Sequence, residues 1–251
     1  SQMDMDRLDY LRRDCFYTGV TEGNIGSARI IKMLDVKDDN LVIESKGIYS
    51  IENYLTSRRL MYWQVYLHKT AVACEKVLVN TLLRAKYLAH NGKDIFASPS
   101  LKYFLYHDVD EEYFMSHHDA LKEYEELDDH DIWSALKVWM HSDDKILSLL
   151  SNDIINRNIF KVEVHEEEIK KERIDELKDR ISKTLKISKE EANYFISVDT
   201  VQKDMYDTQE DSITILYKDG TTKDIVEASD LLNVALLSKK IRKYYLCYQR
   251  L

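Results

Sequence analysis

Helix breakers are scarce in this chain, and this scarcity restricts the possible folds more than any other feature. The 251 residues include a single proline, Pro99, and only six glycines. Because these two residues are the strongest helix breakers, the chain has few obligatory interruptions. Hydrophobic residues make up 44% and charged residues 32%, enough for a sizeable core under a charged surface. We therefore expect a mainly α-helical protein.

Hydrophobic spacing predicts long helices in the first part of the chain. Residues 3–17 form one, with Leu8 and Leu11 on its apolar face, and a glycine-containing loop follows at 18–26. The pattern is helical almost without interruption over 51–90. A buried stripe is predicted there for apolar residues at helical spacing, namely Leu60, Trp63, Leu67, Cys74 and Leu78. Further helices are expected at 110–126 and 130–150, with Trp133 and Trp139 in the core.

The pattern changes near residue 155. Strand-like segments occur at 159–164, 194–201, 212–217, 223–228 and 243–248, with helices expected at 166–185 and near 228–238. The triplet KDG at 218–220 predicts a hairpin. This order is typical of a ferredoxin-like arrangement. We therefore predict a helical domain at 1–155 and a small α+β subdomain at 156–251.

Charge and cysteine content exclude several classes of protein. The net charge of −9 argues against an extensive nucleic-acid interface. The three cysteines are far apart and form no CxxC pair, which suits a reducing cytoplasm rather than a disulfide framework. No apolar run approaches the length of a membrane span. A cytoplasmic protein that does not span a membrane is expected.

The segment MDMDRLDYLRRD, residues 3–14, carries four carboxylates, three arginines and a tyrosine. Carboxylates at this density repel one another unless a cation, an arginine or water screens them. Two interpretations follow: a cation-binding site, or a solvated helix face held by pairs such as Asp9 with Arg13. Spacing alone favours the solvated face.

A second candidate constellation lies on the long helical segment, where Arg58, Tyr62, Tyr66 and Lys69 share one stripe. Two cations and two phenols on one face suit an anionic ligand with a flat apolar part, such as a nucleotide. In the alternative interpretation the tyrosines pack under a neighbouring element while the cations extend into water. The spacing by itself favours this alternative.

Two longer strings resemble a known family. DMDRLDYLRRDCFYTGV at 4–20 and RRLMYWQVYLHKT at 58–70 are similar to the D-x-D-[RK]-x-D-Y-x-x-R-D and R-x(7)-Y-x-H-K-T segments of HD-domain metal phosphohydrolases. The similarity is to the branch of deoxynucleoside triphosphate triphosphohydrolases, which includes dGTPases. YEELDDHDIWSALKVW at 124–139 and NRNIFKV at 156–162 resemble later parts of the same proteins. The resemblance covers most of 1–165 and implies the C-terminal portion of an HD-domain helical fold.

The resemblance also implies residue roles. Asp6 would be a catalytic metal ligand, Arg7 would contact phosphate, Tyr10 would lie against the deoxyribose, and Asp14 would accept a hydrogen bond from the 3′-hydroxyl. The residues that would line the same pocket are Arg58, Tyr62 and Tyr66, with Tyr66 crowding a ribose 2′-hydroxyl. The residues implied in a regulatory nucleotide site at a subunit interface are Arg29, Lys46, His68 and Lys69.

The implied cofactor is a divalent metal ion, for which Mg, Mn, Fe, Ni, Co and Zn are equally compatible. In the family a histidine and a His-Asp pair precede the aspartate that Asp6 matches. The dipeptides at 107–108, 118–119 and 130–131 follow it instead, so we do not expect them to supply these ligands. The remaining ligands would then come from an N-terminal HD portion outside this chain.

The expected activity belongs to the parent protein: hydrolysis of a deoxynucleoside triphosphate to a deoxynucleoside and triphosphate, by a homo-oligomer. We expect residues 1–251 alone to be inactive, because one carboxylate cannot hold a catalytic metal. The alternative is a non-catalytic nucleotide-binding or oligomerisation module.

Overall fold

A computed structural model describes residues 3–203, 212–230 and 241–251. The chain divides into two compact units, each built from two stretches of sequence. The first unit comprises Ser1–His68 and Val201–Arg242, and the second comprises Lys69–Thr200 and Lys243–Leu251. The described residues are mainly helical with a smaller strand content, which confirms the predicted fold class. None of the described helices has both the length and the apolar character needed to cross a bilayer.

The described helices are α1 (Met5–Thr18), α2 (Ser27–Lys32), α3 (Ile48–Met61), α4 (Lys69–His90), α5 (Pro99–Tyr106), α6 (Glu111–Ser116), α7 (His118–Glu126), α8 (Asp129–Trp139), α9 (Lys145–Ile155), α10 (Lys171–Leu185) and α11 (Ile225–Ala228). The described strands are β1 (Leu34–Lys37), β2 (Asn40–Glu44), β3 (Lys161–His165), β4 (Ile196–Lys203), β5 (Thr214–Leu216), β6 (Thr222–Asp224) and β7 (Ile241–Tyr248). A π-helical turn, Tyr62–Tyr66, directly follows α3.

Local signals explain the bounds of α1. The Asp4 side chain caps the N-terminus by accepting a hydrogen bond from the Arg7 amide at 2.8 Å. Gly19 ends the helix in the left-handed region, at φ 71°, where its amide bonds the Cys15 carbonyl. The prediction of a helix over 3–17 is therefore correct to within two residues.

The sheet of the first unit has the order β1-β2-β5-β6. A two-residue turn, Asp38-Asp39, joins β1 to β2, and both residues have positive φ, as a hairpin turn of this length requires. Strand β2 pairs in parallel with β5, so that Ile43 lies opposite Ile215. Strands β5 and β6 form the hairpin predicted from KDG.

The core of the first unit draws on both of its sequence stretches. Its buried members are Met3, Leu8, Leu11, Ile25, Ile30, Ile43, Ile51, Tyr54, Leu55, Met61, Ile213, Ile215 and Ile225. Gly47 lies where the chain enters α3, and a Cβ atom there would lie 2.7 Å from Cγ2 of Ile43 and 3.0 Å from Cβ of Met33. A glycine is therefore needed for this close approach.

The second unit is a helical assembly with a three-stranded sheet in the order β3-β7-β4. Helix α4 packs against α5 and α9, and α9 also packs against α8. Arg84 of α4 is 7% exposed. Its guanidinium donates to both carboxylate oxygens of Asp144, at 3.0 and 2.6 Å, and lies 5.2 and 5.3 Å from the ring centres of Tyr87 and Tyr194. This buried ion pair ties α4 to the start of α9.

The ferredoxin-like arrangement predicted for 156–251 is not the one observed. Strands β3, β4 and β7 form one sheet, but β5 and β6 join β2 in the other. The physical reason is that Ile213, Ile215 and Ile225 are buried in the core of the first unit. The predicted helix near 228–238 falls mostly on residues 231–240, which lie outside the described part of the chain.

The buried positions of the segment 51–90 also differ from the predicted stripe. All five of its residues are only partly buried, whereas α4 buries Val72, Val77 and Thr81. The continuous helix expected over 51–90 is divided by the π-helical turn and by residues 67–68, so a single helical repeat does not apply to the whole segment. Trp139 is buried as predicted, but Trp133 is 48% exposed, and its predicted place in the core is wrong.

Candidate functional site

One face of α1 carries polar residues at four-residue spacing: Asp6, Tyr10 and Asp14. The opposite face is fixed by Leu8 and Leu11, which are buried in the core of the first unit. Because α1 is held on this apolar side, its polar side chains are presented at a defined angle.

A second row of side chains comes from α3 and the π-helical turn. Tyr54, Arg58, Tyr62 and Tyr66 follow one another at four-residue spacing. The turn is closed by the hydrogen bond from the Leu67 amide to the Tyr62 carbonyl at 2.7 Å. A π-helical turn within helical structure is uncommon and often occurs at functional sites.

The two rows meet. The Tyr66 hydroxyl donates to Oδ2 of Asp14 at 2.6 Å, and the Tyr66 ring contacts the rings of Tyr10 and Tyr62 edge-on, with centroid distances of 6.1 and 5.3 Å. The Arg58 guanidinium lies 5.7 Å from the Tyr62 ring centre. We call the set Arg7, Tyr10, Asp14, Tyr54, Arg58, Tyr62 and Tyr66 the tyrosine cluster.

The phenols of Tyr10, Tyr54 and Tyr66 remain protonated at neutral pH, because the pKa of each is raised. Burial raises the pKa of Tyr54 to about 12 and raises the pKa of Tyr66 further above its ordinary value, with the Asp14 hydrogen bond as the second cause for Tyr66. Burial and then Tyr62 raise the pKa of Tyr10, while Arg58 and Arg7 oppose the rise. The cluster therefore combines neutral hydroxyl groups, two guanidiniums and one carboxylate.

The structure thus brings together all six residues predicted to bind substrate. It also adds Tyr54, which is 0% exposed and interacts electrostatically with Tyr10, Arg7 and Arg58. The sequence analysis missed Tyr54, although it lies one helical turn before Arg58. Extending the predicted stripe by that turn would have identified it.

Asp6, the predicted metal ligand, is exposed on α1, one helical turn before Tyr10. Asp9 and Arg13 form the surface ion pair that the alternative interpretation of this helix expected. Helix α1 therefore has a solvated face, on which Asp9 and Arg13 are exposed, and a second polar face, on which Tyr10 and Asp14 are partly buried.

The predicted regulatory residues fall into two groups. Arg29 and Lys46 lie together, because the Arg29 guanidinium donates to the Lys46 carbonyl at 3.3 Å. His68 and Lys69 are exposed, and the boundary between the two units falls between them in the sequence. Their shared role remains a prediction.

Potential metal-ligating side chains are dispersed over the described part of the chain. Within residues 3–203, 212–230 and 241–251, no three His, Cys, Asp or Glu side chains are grouped so that they could hold a metal ion. Asp6 alone offers one carboxylate, and the described residues by themselves do not complete a metal centre.

The tyrosine cluster is equipped for recognition. Guanidiniums bind phosphate oxygens, phenol rings pack against flat apolar groups, and the Asp14 carboxylate accepts hydrogen bonds from hydroxyl groups. Since Tyr66 already donates to Asp14, a ligand hydroxyl at that carboxylate would share it with Tyr66 or displace it.

Comparison with known proteins gives a family match within the first part of the chain. Residues 25–94 match the family described as the HD associated region. This stretch contains four residues of the tyrosine cluster, Tyr54, Arg58, Tyr62 and Tyr66, and also the four predicted regulatory residues.

Several similar proteins are longer than this chain. The crystal structure of a phosphohydrolase from Bacteroides thetaiotaomicron is 66% identical, with a TM-score of 0.94 over 99% of this chain and 62% of its own. A hypothetical protein from Aquifex aeolicus is 26% identical, with a TM-score of 0.58 over 98% of this chain and 54% of its own. The uncharacterized protein YwfO of Bacillus subtilis is 36% identical over 64% of this chain and 35% of its own length.

The chain therefore spans about a third of YwfO and about three fifths of the Bacteroides protein. The HD associated region and the phosphohydrolase neighbour together relate this chain to the HD-type phosphohydrolases.

Proposed function

We propose that this chain supplies the nucleotide-binding part of a metal-dependent HD-type phosphohydrolase that acts on deoxynucleoside triphosphates. The observation that carries the proposal is the hydrogen bond from Tyr66 to Asp14, which joins the two halves of the tyrosine cluster. It links the two sequence segments that resemble this family. The relationship to HD-type phosphohydrolases supports the reaction class.

In this proposal the two arginines bind the triphosphate. Arg7 and Arg58 both interact electrostatically with the phenols of Tyr10 and Tyr54, which places both cations at one cluster. Guanidiniums offer paired donors to phosphate oxygens and offset their negative charge. Replacement of either arginine would therefore weaken binding more than replacement of a remote surface cation.

The sugar would bind against Tyr10 and Asp14. The Asp14 carboxylate would accept a hydrogen bond from the 3′-hydroxyl, beside the bond that it accepts from Tyr66. The Tyr66 ring, edge-on to both Tyr10 and Tyr62, would exclude a 2′-hydroxyl by crowding. A preference for deoxynucleotides follows.

A divalent metal ion would polarise the α-phosphate and lower the pKa of a bound water. Asp6 would be one ligand, and the remaining ligands would lie outside residues 1–251, in an N-terminal HD portion of the parent protein. Asp6 is exposed and on the same face as Tyr10, which leaves its carboxylate accessible to such a portion. Residues 1–251 alone are then inactive.

The proposal includes a homo-oligomer in which Arg29, Lys46, His68 and Lys69 bind a regulatory nucleotide. The hydrogen bond from the Arg29 guanidinium to the Lys46 backbone carbonyl supports the first half of that site, because it brings the Arg29 side chain to the residue that carries the second cation.

The second candidate function is a non-catalytic nucleotide-binding or oligomerisation module. The make-up of the tyrosine cluster favours it, since phenols and guanidiniums recognise ligands but do not activate water. The cluster contains no histidine, and its carboxylate is already hydrogen bonded to Tyr66.

The experiment that tests the proposal measures nucleotide binding and hydrolysis by the full-length protein. We expect stabilisation by dNTPs over rNTPs in a thermal-shift panel and release of triphosphate with manganese. Tyr66→Ala should remove the preference, and Tyr49→Ala should preserve it because Tyr49 is an exposed tyrosine of α3 outside the tyrosine cluster. Equal stabilisation by dNTPs and rNTPs would contradict the role of Tyr66, and binding without hydrolysis would select the second candidate.

A further inference from the structure

The second unit contains a pocket of about 250 Å³ at the end of its sheet, remote in sequence from α1 and α3. It is lined by Lys161, Arg180, Tyr248, Gln249, Arg250 and Leu251. Three of these six residues are cations and none is acidic. In a chain with a net charge of −9, such a concentration of positive charge needs an explanation.

Arg180 and Arg250 have no carboxylate partner in the described part of the chain, whereas Lys161 interacts electrostatically with Glu163. Lys161 lies 5.6 Å from the Tyr248 ring centre. The carboxylate of Glu163, two residues further along β3, accepts from the Tyr248 hydroxyl at 2.6 Å and from Arg173 at 3.1 Å. The hydrogen bonds of the Glu163 carboxylate are therefore made with Tyr248 and Arg173.

The wall of the pocket is held in place, whereas its cationic side chains are exposed. Lys161 and Tyr248 are paired residues of the antiparallel strands β3 and β7. Tyr248 is 6% exposed, and the Gln249 amide donates to the Phe195 carbonyl at 3.0 Å. Three long, flexible cations around a fixed aromatic wall can close on a ligand without moving the backbone.

We propose that this pocket binds a small anion of the phosphate class through Lys161, Arg180 and Arg250. Arginine offers paired N–H groups that match two phosphate oxygens, and lysine adds a compact charge. The volume exceeds that of one orthophosphate and accommodates a short chain of phosphates. Inorganic phosphates and phosphate monoesters share this chemistry. The inference uses no residue of the tyrosine cluster and stands independently of the proposed function.

The test is isothermal titration calorimetry on the full-length protein with EDTA present, at ionic strength held constant with potassium chloride. Orthophosphate, pyrophosphate and glycerol 3-phosphate are titrated separately, so that free and esterified phosphate are distinguished. We expect binding of at least one of them. The double variant Arg180→Gln/Arg250→Gln should weaken it about tenfold or more, since each charge-assisted contact contributes on the order of one factor of ten.

Two controls localise the signal. Lys183→Gln removes an exposed cation from the same helix as Arg180 but leaves the pocket lining intact, and binding should change by less than about twofold. Arg58→Gln removes a cation of the tyrosine cluster, so any binding heat that this variant loses comes from phosphate bound at that cluster and not in this pocket. The double variant Arg180→Lys/Arg250→Lys should retain part of the affinity.

Three results would overturn the proposal. One is the absence of binding heat for all three anions. Another is equal weakening by Lys183→Gln, which would indicate a diffuse surface charge. The third is loss of binding in Arg58→Gln with retention in the double glutamine variant, which would assign the signal to the tyrosine cluster.

Discussion

Replacing Asp153 by asparagine should stabilise the second unit at neutral pH. Asp153 lies on α9 and is 7% exposed. Burial raises the pKa of its carboxyl group to about 6, and a hydrogen bond from Gln249 opposes the rise. Oδ2 of Asp153 and Oε1 of Gln249 are both buried acceptors for which the described residues provide no donor. Protonation of Asp153, or an amide in its place, supplies a donor.

The magnitude follows from linkage between protonation and folding. The interval between 3.8 and about 6 corresponds to about 3 kcal/mol at 1.36 kcal/mol per pH unit. Because the folded-state pKa is raised, the favourable contribution is complete below pH 3.8 and is lost as the pH rises through 6. Asparagine must still be desolvated, so we expect it to recover about 1–2 kcal/mol of this loss at pH 7.5.

The assay is urea unfolding of wild type and Asp153→Asn at pH 4.5 and pH 7.5. The variant should have the higher free energy of unfolding at pH 7.5, and its advantage should shrink at pH 4.5, where the wild-type carboxyl is largely protonated in the folded state. Asp143→Asn is the matched control, because Asp143 is exposed in the loop before the same helix.

Two outcomes would refute this reasoning. An equal or lower stability of Asp153→Asn at pH 7.5 would mean that the buried carboxylate carries no penalty. A stability difference that is the same at both pH values would mean that protonation is not its source.

Three further perturbations test the packing and the tyrosine cluster by urea unfolding. Gly47→Ala should lose about 1–3 kcal/mol because its Cβ would clash with neighbouring side chains, whereas Gly26→Ala has open space and should change stability by less than about 0.5 kcal/mol. Arg84→Ala should lose about 3–5 kcal/mol by leaving a partly buried carboxylate without its partner, whereas Lys86→Ala breaks an exposed pair and should lose less than about 1 kcal/mol. Tyr66→Phe removes one hydrogen bond to a carboxylate in a half-buried position and should lose about 1 kcal/mol. An unchanged stability of Gly47→Ala, Arg84→Ala or Tyr66→Phe would contradict the contact on which that prediction depends.

Local signals predicted several elements well because their causes lie within a few residues. The bounds of α1 follow from the Asp4 cap and Gly19, and the β5–β6 hairpin follows from Gly220, which adopts φ 83°. Helical spacing identified Arg58, Tyr62 and Tyr66 as one possible nucleotide-binding stripe, and the resemblance added Arg7, Tyr10 and Asp14. For α1, spacing alone favoured the interpretation of a solvated face, because the spacing of residues within one helix does not show which other helix packs against it.

The remaining errors have non-local causes. The π-helical turn interrupts the helical pattern after α3, and no residue type in Tyr62–Tyr66 predicts this interruption. The assignment of β5 to the first sheet depends on where Ile215 is buried, which the segment itself does not encode. Trp133 is exposed although its type favours burial, since α8 turns its other side, with Ala135, Leu136 and Trp139, inward.

The parallel pairing of Val42 with Thr214 has a consequence for synthesis on the ribosome. Strand β2 emerges early, but its partner is translated only after the whole stretch 69–200. During that interval the edge of β2 that pairs with Thr214–Leu216 has no partner strand, and an unpaired strand edge is prone to aggregate. The second unit is completed later still, because β7, the central strand of its sheet, is translated after β5 and β6.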